Sequence, residues 1–384
     1  MKKKVLIIGP IGDFGGRELE AGFIANSLSD NYDVEVCSTA DITKNSQVFE
    51  TFENGKVYSL KQLILKKNKP IRLLAKLSFI KNKKKEESYY YVNNQVAKKL
   101  LKYELRINEL LSGLIQNFDL IFIIAQLSSN YLKFIIEEGN KLNKKIVFRT
   151  TGYIEKNNWG SFLNKVDLFI HHSDINANRL ICLENHNFQI IDQCAFNEKD
   201  LLNLPYVYKK CNSFLTLGRL IKDKNIDIVI KSFLLAKEEG DSLVVLGGGP
   251  ELENLKEIAD NNSNIFFTGF IPNENLASYF SKVDCIIIPH YNCETGPLTG
   301  IEAMAAARII ISAKTGAMES RLSFNRFWFN NNVFELEKQI KEVKLLDKLE
   351  AQELSIKIRN RYKQYYRKDI IKKKYINVVN LLIN

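Results

Sequence analysis

Short apolar runs recur along the chain, each followed by a stretch with helical spacing. The first occupies residues 4–8 and stops at Gly9-Pro10, ahead of a glycine-rich loop and a helical pattern over 18–28. Further strand-like runs stand at 34–37, 120–124, 146–149, 168–171 and 188–191. The pattern restarts at 213–217 and continues at 243–246, 265–268, 285–288 and 309–312, with helical stretches such as 225–239 and 275–281 between them. β-rich runs separated by helix-length intervals are what βαβ units require. Such alternation predicts an α/β protein whose parallel sheets are covered by helices on both faces. The pattern breaks at Pro205, so the expected division is 1–205, 206–360 and a C-terminal helical segment 361–384. Two doubly wound, Rossmann-like domains facing across a cleft would bind ligands there, because open parallel sheets take ligands at their strand C-termini.

Composition narrows this without changing it. At 384 residues the chain holds two or three domains of about 150 residues each. The longest apolar runs, 121–125 and 286–288, fall far short of the roughly 20 residues a bilayer crossing needs. Lys2-Lys3-Lys4 imitates the start of a secretory signal, but the apolar stretch behind it is too short and reads as a strand. The six cysteines (37, 182, 194, 211, 285 and 293) form no C-x-x-C pair, which fits reduced cytosolic thiols rather than a disulfide or metal framework.

The net charge of +11 is concentrated in one place. Residues 56–85 carry eleven Lys/Arg and no acid, leaving 44 basic and 44 acidic residues elsewhere. A second basic run spans 357–374. Local positive charge fits a nucleic acid, an anionic lipid or a phosphorylated substrate, and equally a solvated helical face. Nucleic acid is the weakest of these, since no recognised module is present and aromatics do not interleave with the cations.

Three segments of the second half carry candidate chemistry. In Gly218-Arg219-Leu220-Ile221-Lys222-Asp223-Lys224, a strand ends in glycine and two cations precede a helix. Arg219 can fork onto phosphate oxygens and Lys224 can add a point charge; alone, both read equally as solvent-facing. Gly247-Gly248-Gly249 after a strand permits close backbone approach to a ligand, or is a flexible turn. In Glu294-Thr295-Gly296-Pro297-Leu298-Thr299-Gly300-Ile301-Glu302, a helix is expected to begin at Pro297 and to offer its free amides to an anion. Glu302 then lies about 7–8 Å along the helix from Pro297, on the far side of that anion site from Glu294. Carboxylates accept paired hydroxyl hydrogen bonds well. Taken singly, Glu302 is an ordinary helix-surface acid and Glu294 a charge near a helix N-terminus. Together, the cations, the anion-binding helix and the two carboxylates describe a nucleotide-sugar site.

The E-x7-E from Glu294 to Glu302, running into Ala303-Met304-Ala305, resembles the signature of family 4 retaining glycosyltransferases of the GT-B fold. Gly218-Arg219-Leu220 with Lys224, Phe267-Thr268-Gly269-Phe270 and Val283-Asp284 match in order, so the resemblance covers the whole second half. It implies that Arg219 and Lys224 hold the donor diphosphate and that Glu302 binds the ribose hydroxyls. Glu294 would contact the donor sugar, so Glu294, Arg219 and Lys224 are the expected catalytic set. Gly296, Pro297, Leu298 and Thr299 would meet the phosphate, and Thr268 and Gly269 the base. Two departures stand at Ala307 and Ile309, where the family carries glycine and proline; altered packing is expected there. The family's Gly-Gly-x-x-Glu segment is shortened to Gly316-Ala317-Met318-Glu319, which puts that loop's contacts in doubt.

In the first half, Gly9-Pro10-Ile11-Gly12-Asp13-Phe14-Gly15-Gly16 departs from the dinucleotide fingerprint in spacing, and Ser38 stands where its acid belongs. By resemblance Gly15 and Gly16 approach the donor. Arg17 and Glu18 face the acceptor or are simply N-terminal helix charges, and the turn holding Arg149 and Thr151 lies on the acceptor side. The family's histidine is missing from that turn. The final helix is similar to one that crosses back to the first domain. The insert 56–85 lies where membrane-associated relatives carry basic, apolar-faced helices. Pro70 would open a helix with Leu73, Leu74, Leu77 and Ile80 on one side, resting on an anionic leaflet or packed on its own domain.

The expected protein is therefore a retaining, metal-independent glycosyltransferase of hexosyltransferase type with no cofactor. It would use a UDP- or GDP-type donor and a glycan or lipid-linked acceptor. By family analogy the setting is capsule, lipopolysaccharide or other envelope polysaccharide synthesis, with the protein cytoplasmic or peripheral on the inner face of the membrane. A GT-B epimerase or phosphorylase, or a non-catalytic sugar-nucleotide-binding subunit, are the alternatives.

Overall fold

The computed structural model describes residues 2–83, 85–155, 159–180, 183, 186–290 and 294–383; Lys84 of the basic insert, and Cys182 and Cys293, lie outside these. The chain divides into two compact units. One comprises Met1–His171, Ala177–Ile190 and Lys372–Asn384; the other comprises His172–Asn176 and Ile191–Ile371. The division at Ile191 lies upstream of Pro205, where the sequence pattern breaks.

The first unit runs β1 (Lys4–Gly9), α1 (Gly16–Ser29), β2 (Asp33–Ser38), β3 (Lys56–Ser59), α2 (Leu60–Lys67), α3 (Lys69–Lys81), α4 (Gln95–Leu100), α5 (Tyr103–Ile115), β4 (Leu120–Ala125), α6 (Leu132–Lys141), β5 (Lys145–Thr150), β6 (Leu168–His171) and β7 (Phe188–Ile190); the single turn α7 (Asp174–Ala177) between the last two lies mostly in the other unit. The strands form one parallel sheet in the order β3-β2-β1-β4-β5-β6-β7. Strand residues alternate between its faces: Leu6, Ile8, Ile121 and Ile123 join a core with Ile64, Ile107 and Ile135. Their neighbours Val5, Ile7, Phe122 and Ile124 are equally buried, which is why these runs are apolar throughout.

The basic insert is not wholly an insertion. Its first residues form the edge strand β3, whose lysine and tyrosine obscured the strand pattern: Lys56 pairs with Glu35, and Tyr58 donates to Glu35 at 2.6 Å. The remainder forms α2 and α3. Asn68 caps α3, accepting from the Ile71 amide at 3.0 Å, and Pro70 sits in the first turn.

The second unit continues with α8 (Glu198–Leu202), β8 (Ser213–Leu217), α9 (Ile226–Ala236), β9 (Ser242–Leu246), α10 (Leu252–Ile258), β10 (Ile265–Gly269), α11 (Leu276–Phe280), β11 (Cys285–Ile288), α12 (Leu298–Ala305), β12 (Ile309–Ala313), α13 (Met318–Arg321), β13 (Trp328–Phe329), α14 (Val333–Lys344) and α15 (Lys348–Tyr365). Its parallel sheet has the order β10-β9-β8-β11-β12-β13. Cys285 and Ile287 enter one core with α9 and α14; Ile286 and Ile288 enter another with α12 and α15. The two-residue strand β13 was too short to show in the sequence.

The expected final helix is in fact two, α15 and α16 (Lys368–Ile383). No glycine or proline marks the break. The Glu198 carboxylate makes it, accepting from the Lys368 amide at 2.9 Å and from the Tyr362 hydroxyl at 2.8 Å. From Lys372 onward α16 belongs to the first unit, where Lys372 pairs with Asp30 at 3.0 Å and Tyr375 donates to Glu20 at 3.1 Å.

Candidate functional site

In the second unit the loops leaving β8, β9, β10 and β11 meet at the strand C-termini. Backbone bonds lace the first three: Gly218 N–H donates to Leu246 O at 3.1 Å, Leu220 N–H to Gly248 O at 3.0 Å, and Gly247 N–H to Gly269 O at 3.0 Å. Glycine is required at Gly247. Its φ is +139°, and a Cβ there would stand 1.9 Å from the Gly218 carbonyl oxygen. The triple glycine is thus a fixed floor rather than a loose turn.

Arg219 projects from this floor, exposed to solvent. Lys224 lies in the turn before α9, is 8% exposed, and pairs directly with Glu294. The structure therefore brings two of the three expected catalytic residues into contact. Thr268 and Gly269 end β10, half-buried, with the Thr268 hydroxyl donating to Gly269 O at 3.0 Å. Exposed Phe270 follows them.

Gly296 and Pro297 are buried, and α12 begins at Leu298 with Pro297 as its cap. Thr299 is buried in the first turn. Three side chains the sequence reading did not single out hold this helix start. Arg321 is fully buried; its guanidinium forks onto Asp192 at 2.8 and 2.6 Å and donates to Pro297 O at 2.5 Å. Asn176 donates to Thr295 O at 2.7 Å. Arg321 and Asp192 stand 129 residues apart, so no local pattern links them. Gly316, in the shortened loop, runs so close to the Glu294–Thr295 backbone that a Cβ would lie 2.3 Å from Thr295 O.

Glu302 projects from α12, 3% exposed and in no ion pair among the described residues. Burial alone pushes its carboxyl up to about 8. A buried acid without a cation is costly, and a set of ligand hydroxyls would satisfy it. At the end of α12, Ala307 takes the left-handed conformation (φ +55°) at the position where the resemblance expects glycine.

The first-unit candidates are arranged differently. Gly15 has φ +142°, and its amide donates to Gln47 at 2.8 Å. Gly16 opens α1. Glu18 is buried and accepts from the Gly12 amide at 2.8 Å, and Arg17 donates to Pro10 O at 2.9 Å. Both side chains brace their own loop. Arg149, expected on the acceptor side, is instead a core residue: it is fully buried, with Nε and a terminal nitrogen on Glu20 Oε1 at 3.0 and 2.7 Å. Thr151 is buried, its hydroxyl without a hydrogen-bond partner among the described residues.

Two parallel Rossmann-like sheets of this kind define the GT-B fold, and solved GT-B structures superimpose on the chain. Anabaena HepE in complex with UDP and glucose matches with a TM-score of 0.69 at 14% identity, covering 99% of this chain and 100% of that one. Staphylococcus aureus TarM in complex with fondaparinux, alpha-GlcNAc-glycerol and UDP matches with a TM-score of 0.69 at 12% identity, covering 98% and 100%. Residues 206–369, within the second unit, match the family model described as glycosyl transferases group 1. Among relatives, the alpha-monoglucosyldiacylglycerol synthase of Streptococcus pneumoniae is 32% identical over 136 residues, 34% of this chain and 31% of the synthase. The match thus spans less than a third of that enzyme. An uncharacterized glycosyltransferase of Methanocaldococcus jannaschii is 25% identical over 345 residues, 82% of this chain and 81% of that protein.

Proposed function

We propose that this protein is a retaining, metal-independent glycosyltransferase that moves a sugar from a nucleoside diphosphate to a hydroxyl of a glycan or lipid-linked acceptor. The observation that carries this is the buried Glu302, in no ion pair among the described residues, one helix turn behind the start of α12 in the same unit as the Lys224–Glu294 pair. Arg219, Lys224 and the α12 amides would stabilise the departing diphosphate as its charge develops. Fixed cations then do the work of a metal. Among the described residues no group of three or more His, Cys, Asp or Glu is placed to hold one.

The name of the pneumococcal relative favours a lipid acceptor within envelope glycolipid or polysaccharide synthesis. A second observation points the same way. Leu73, Leu77 and Ile80 lie 61%, 55% and 61% exposed along one side of α3, flanked by Lys69, Lys76 and Lys81. An apolar stripe edged by lysines fits the surface of an anionic bilayer, and no helix among the described residues is long and apolar enough to cross one.

The test of the donor site is calorimetric titration with UDP and GDP, without added metal. One of them binds saturably, and Arg219→Ala and Glu302→Ala each weaken it by about tenfold or more with the fold intact, as for loss of a charged hydrogen bond. Unchanged affinity in both variants sinks the assignment. Turnover without acceptor, or with phosphate, would turn the reading toward an epimerase or phosphorylase. Binding without transfer or hydrolysis would turn it toward a non-catalytic subunit.

A further inference from the structure

His290 follows β11 in the second unit and is 2% exposed, yet neither ring nitrogen has a hydrogen-bond partner among the described residues. It is not stranded in an apolar core. Its Nε2 lies 3.5 Å from where a Cβ of Gly218 would stand, at the start of the Arg219 loop. Its Nδ1 lies 3.8 Å from the Glu294 carboxylate, the group that Lys224 holds. Asn225, beside Lys224, donates to the carbonyl of Pro289 at 3.3 Å and ties the two segments together. Burial, then the nearby Lys224 charge, hold the imidazole well below its ordinary value, so it is neutral at neutral pH.

A neutral histidine has one N–H to donate and one nitrogen to accept. Buried with both unused, it costs stability that a hydrocarbon ring of the same shape would not. Such a group stays in place when something it does in another state repays it. What another state would change is the Lys224–Glu294 pair. In that pair the expected diphosphate cation and the expected sugar-binding carboxylate neutralise each other. A diphosphate competing for Lys224 leaves Glu294 unpaired, a fraction of an ångström beyond the hydrogen-bond range from His290 Nδ1.

We propose that His290 is a positioning residue of the donor site, donating its Nδ1–H to Glu294 when the donor's diphosphate takes Lys224, so that the carboxylate is held for the donor sugar. This rests on the donor-site reading above. His290 touches neither phosphate nor base in this scheme. Its effect therefore falls on the sugar part of the ligand, whereas Lys224 acts on the diphosphate.

The experiment compares UDP with UDP-glucose, and GDP with GDP-mannose, by calorimetric titration of the full chain and of His290→Phe, His290→Asn and Lys224→Ala, each with a thermal melt. For the nucleotide that binds, His290→Phe leaves the diphosphate affinity within about twofold and weakens the sugar nucleotide by about tenfold, the loss of one hydrogen bond to a charged group. Its melting temperature is unchanged or higher. His290→Asn, whose amide N–H takes the place of Nδ1–H, recovers the sugar nucleotide to within about threefold of the parent. Lys224→Ala weakens both ligands. Three results would overturn the inference while leaving the donor site standing: His290→Phe binding the sugar nucleotide as the parent does, His290→Phe losing the diphosphate equally, or the Asn variant failing to recover the loss. Lys224→Ala leaving the diphosphate unaffected, or neither nucleotide binding, overturns the donor-site reading and this inference with it.

Discussion

At the strand ends of the first unit, charged side chains find partners within the fold. Glu18 caps the Gly12 amide, Arg17 holds Pro10 O, and Arg149 is saturated by Glu20, which Tyr375 also reaches. At the strand ends of the second unit, some are paired and some are not. Arg321 is as buried and as well satisfied as Arg149, but Glu302 and His290 are buried without a hydrogen bond or close ion pair among the described residues. Satisfied buried polar groups hold structure. Unsatisfied ones tax it, and they persist where a ligand completes them. The contrast is what the proposed donor site in the second unit would produce.

The largest effects fall on the two buried arginines, which separate structure from site. Replacing either by methionine strands a carboxylate and costs about 3–5 kcal/mol, as breaking a buried pair does. Chemical denaturation measures this for both. The difference lies in what remains folded. Arg149→Met keeps its nucleotide affinity, because Glu20 and Tyr375 belong to the core. Arg321→Met loses about tenfold or more, because Pro297 and the start of α12 lose their anchor, a bond to a charged donor. Equal nucleotide affinity in the two variants would erase the distinction between the units.

Glu302 sharpens the comparison through pH. Its carboxyl titrates at about 8 in the folded chain against an ordinary 4.5. The folded state therefore holds the proton more tightly than the unfolded state, and this residue's contribution to stability falls as pH rises from about 4.5 to about 8. Glu302→Gln removes that dependence. Its melting temperature matches the parent below pH 4.5, exceeds it increasingly up to pH 8, and keeps a constant margin above. A margin that does not grow across this range would mean that the site already contains a partner for the carboxylate.

Much of this was legible in the sequence because parallel strands buried on both faces leave unbroken apolar runs. The loops after β8 and β11 announced themselves through Gly218, Arg219, Lys224, Glu294 and Pro297. What escaped was set by contacts distant in sequence. Lys56 and Tyr58 hid an edge strand, since their polar groups are satisfied by Glu35 one strand away. The break between α15 and α16 depends on Glu198, and the anchoring of α12 depends on Asp192 and Arg321, none of which has a local signature. Arg149 looked like a candidate for the acceptor side because nothing near it in sequence shows that Glu20 takes up its charge.

The smallest effect on stability belongs to α3, and its smallness is the point. Ile71 and Ala75 face the core, so the helix is held without Leu73, Leu77 and Ile80. Replacing all three by serine changes stability by only about 0.5 kcal/mol per site or less, as for surface positions away from caps and buried networks. If the stripe lies on a bilayer, the same triple variant loses cosedimentation with vesicles rich in phosphatidylglycerol, while nucleotide titration is unchanged because α3 lies outside the second unit, where the donor site is proposed. The parent's vesicle binding should also weaken with added salt, since the flanking lysines act over a Debye length of about 8–10 Å at ordinary ionic strength. A variant that sediments with vesicles as the parent does would return α3 to the plainer reading, a packed helix with a solvated basic face. The contrast between charged groups paired at the strand ends of the first unit and the unpaired Glu302 and His290 of the second would then stand without a membrane.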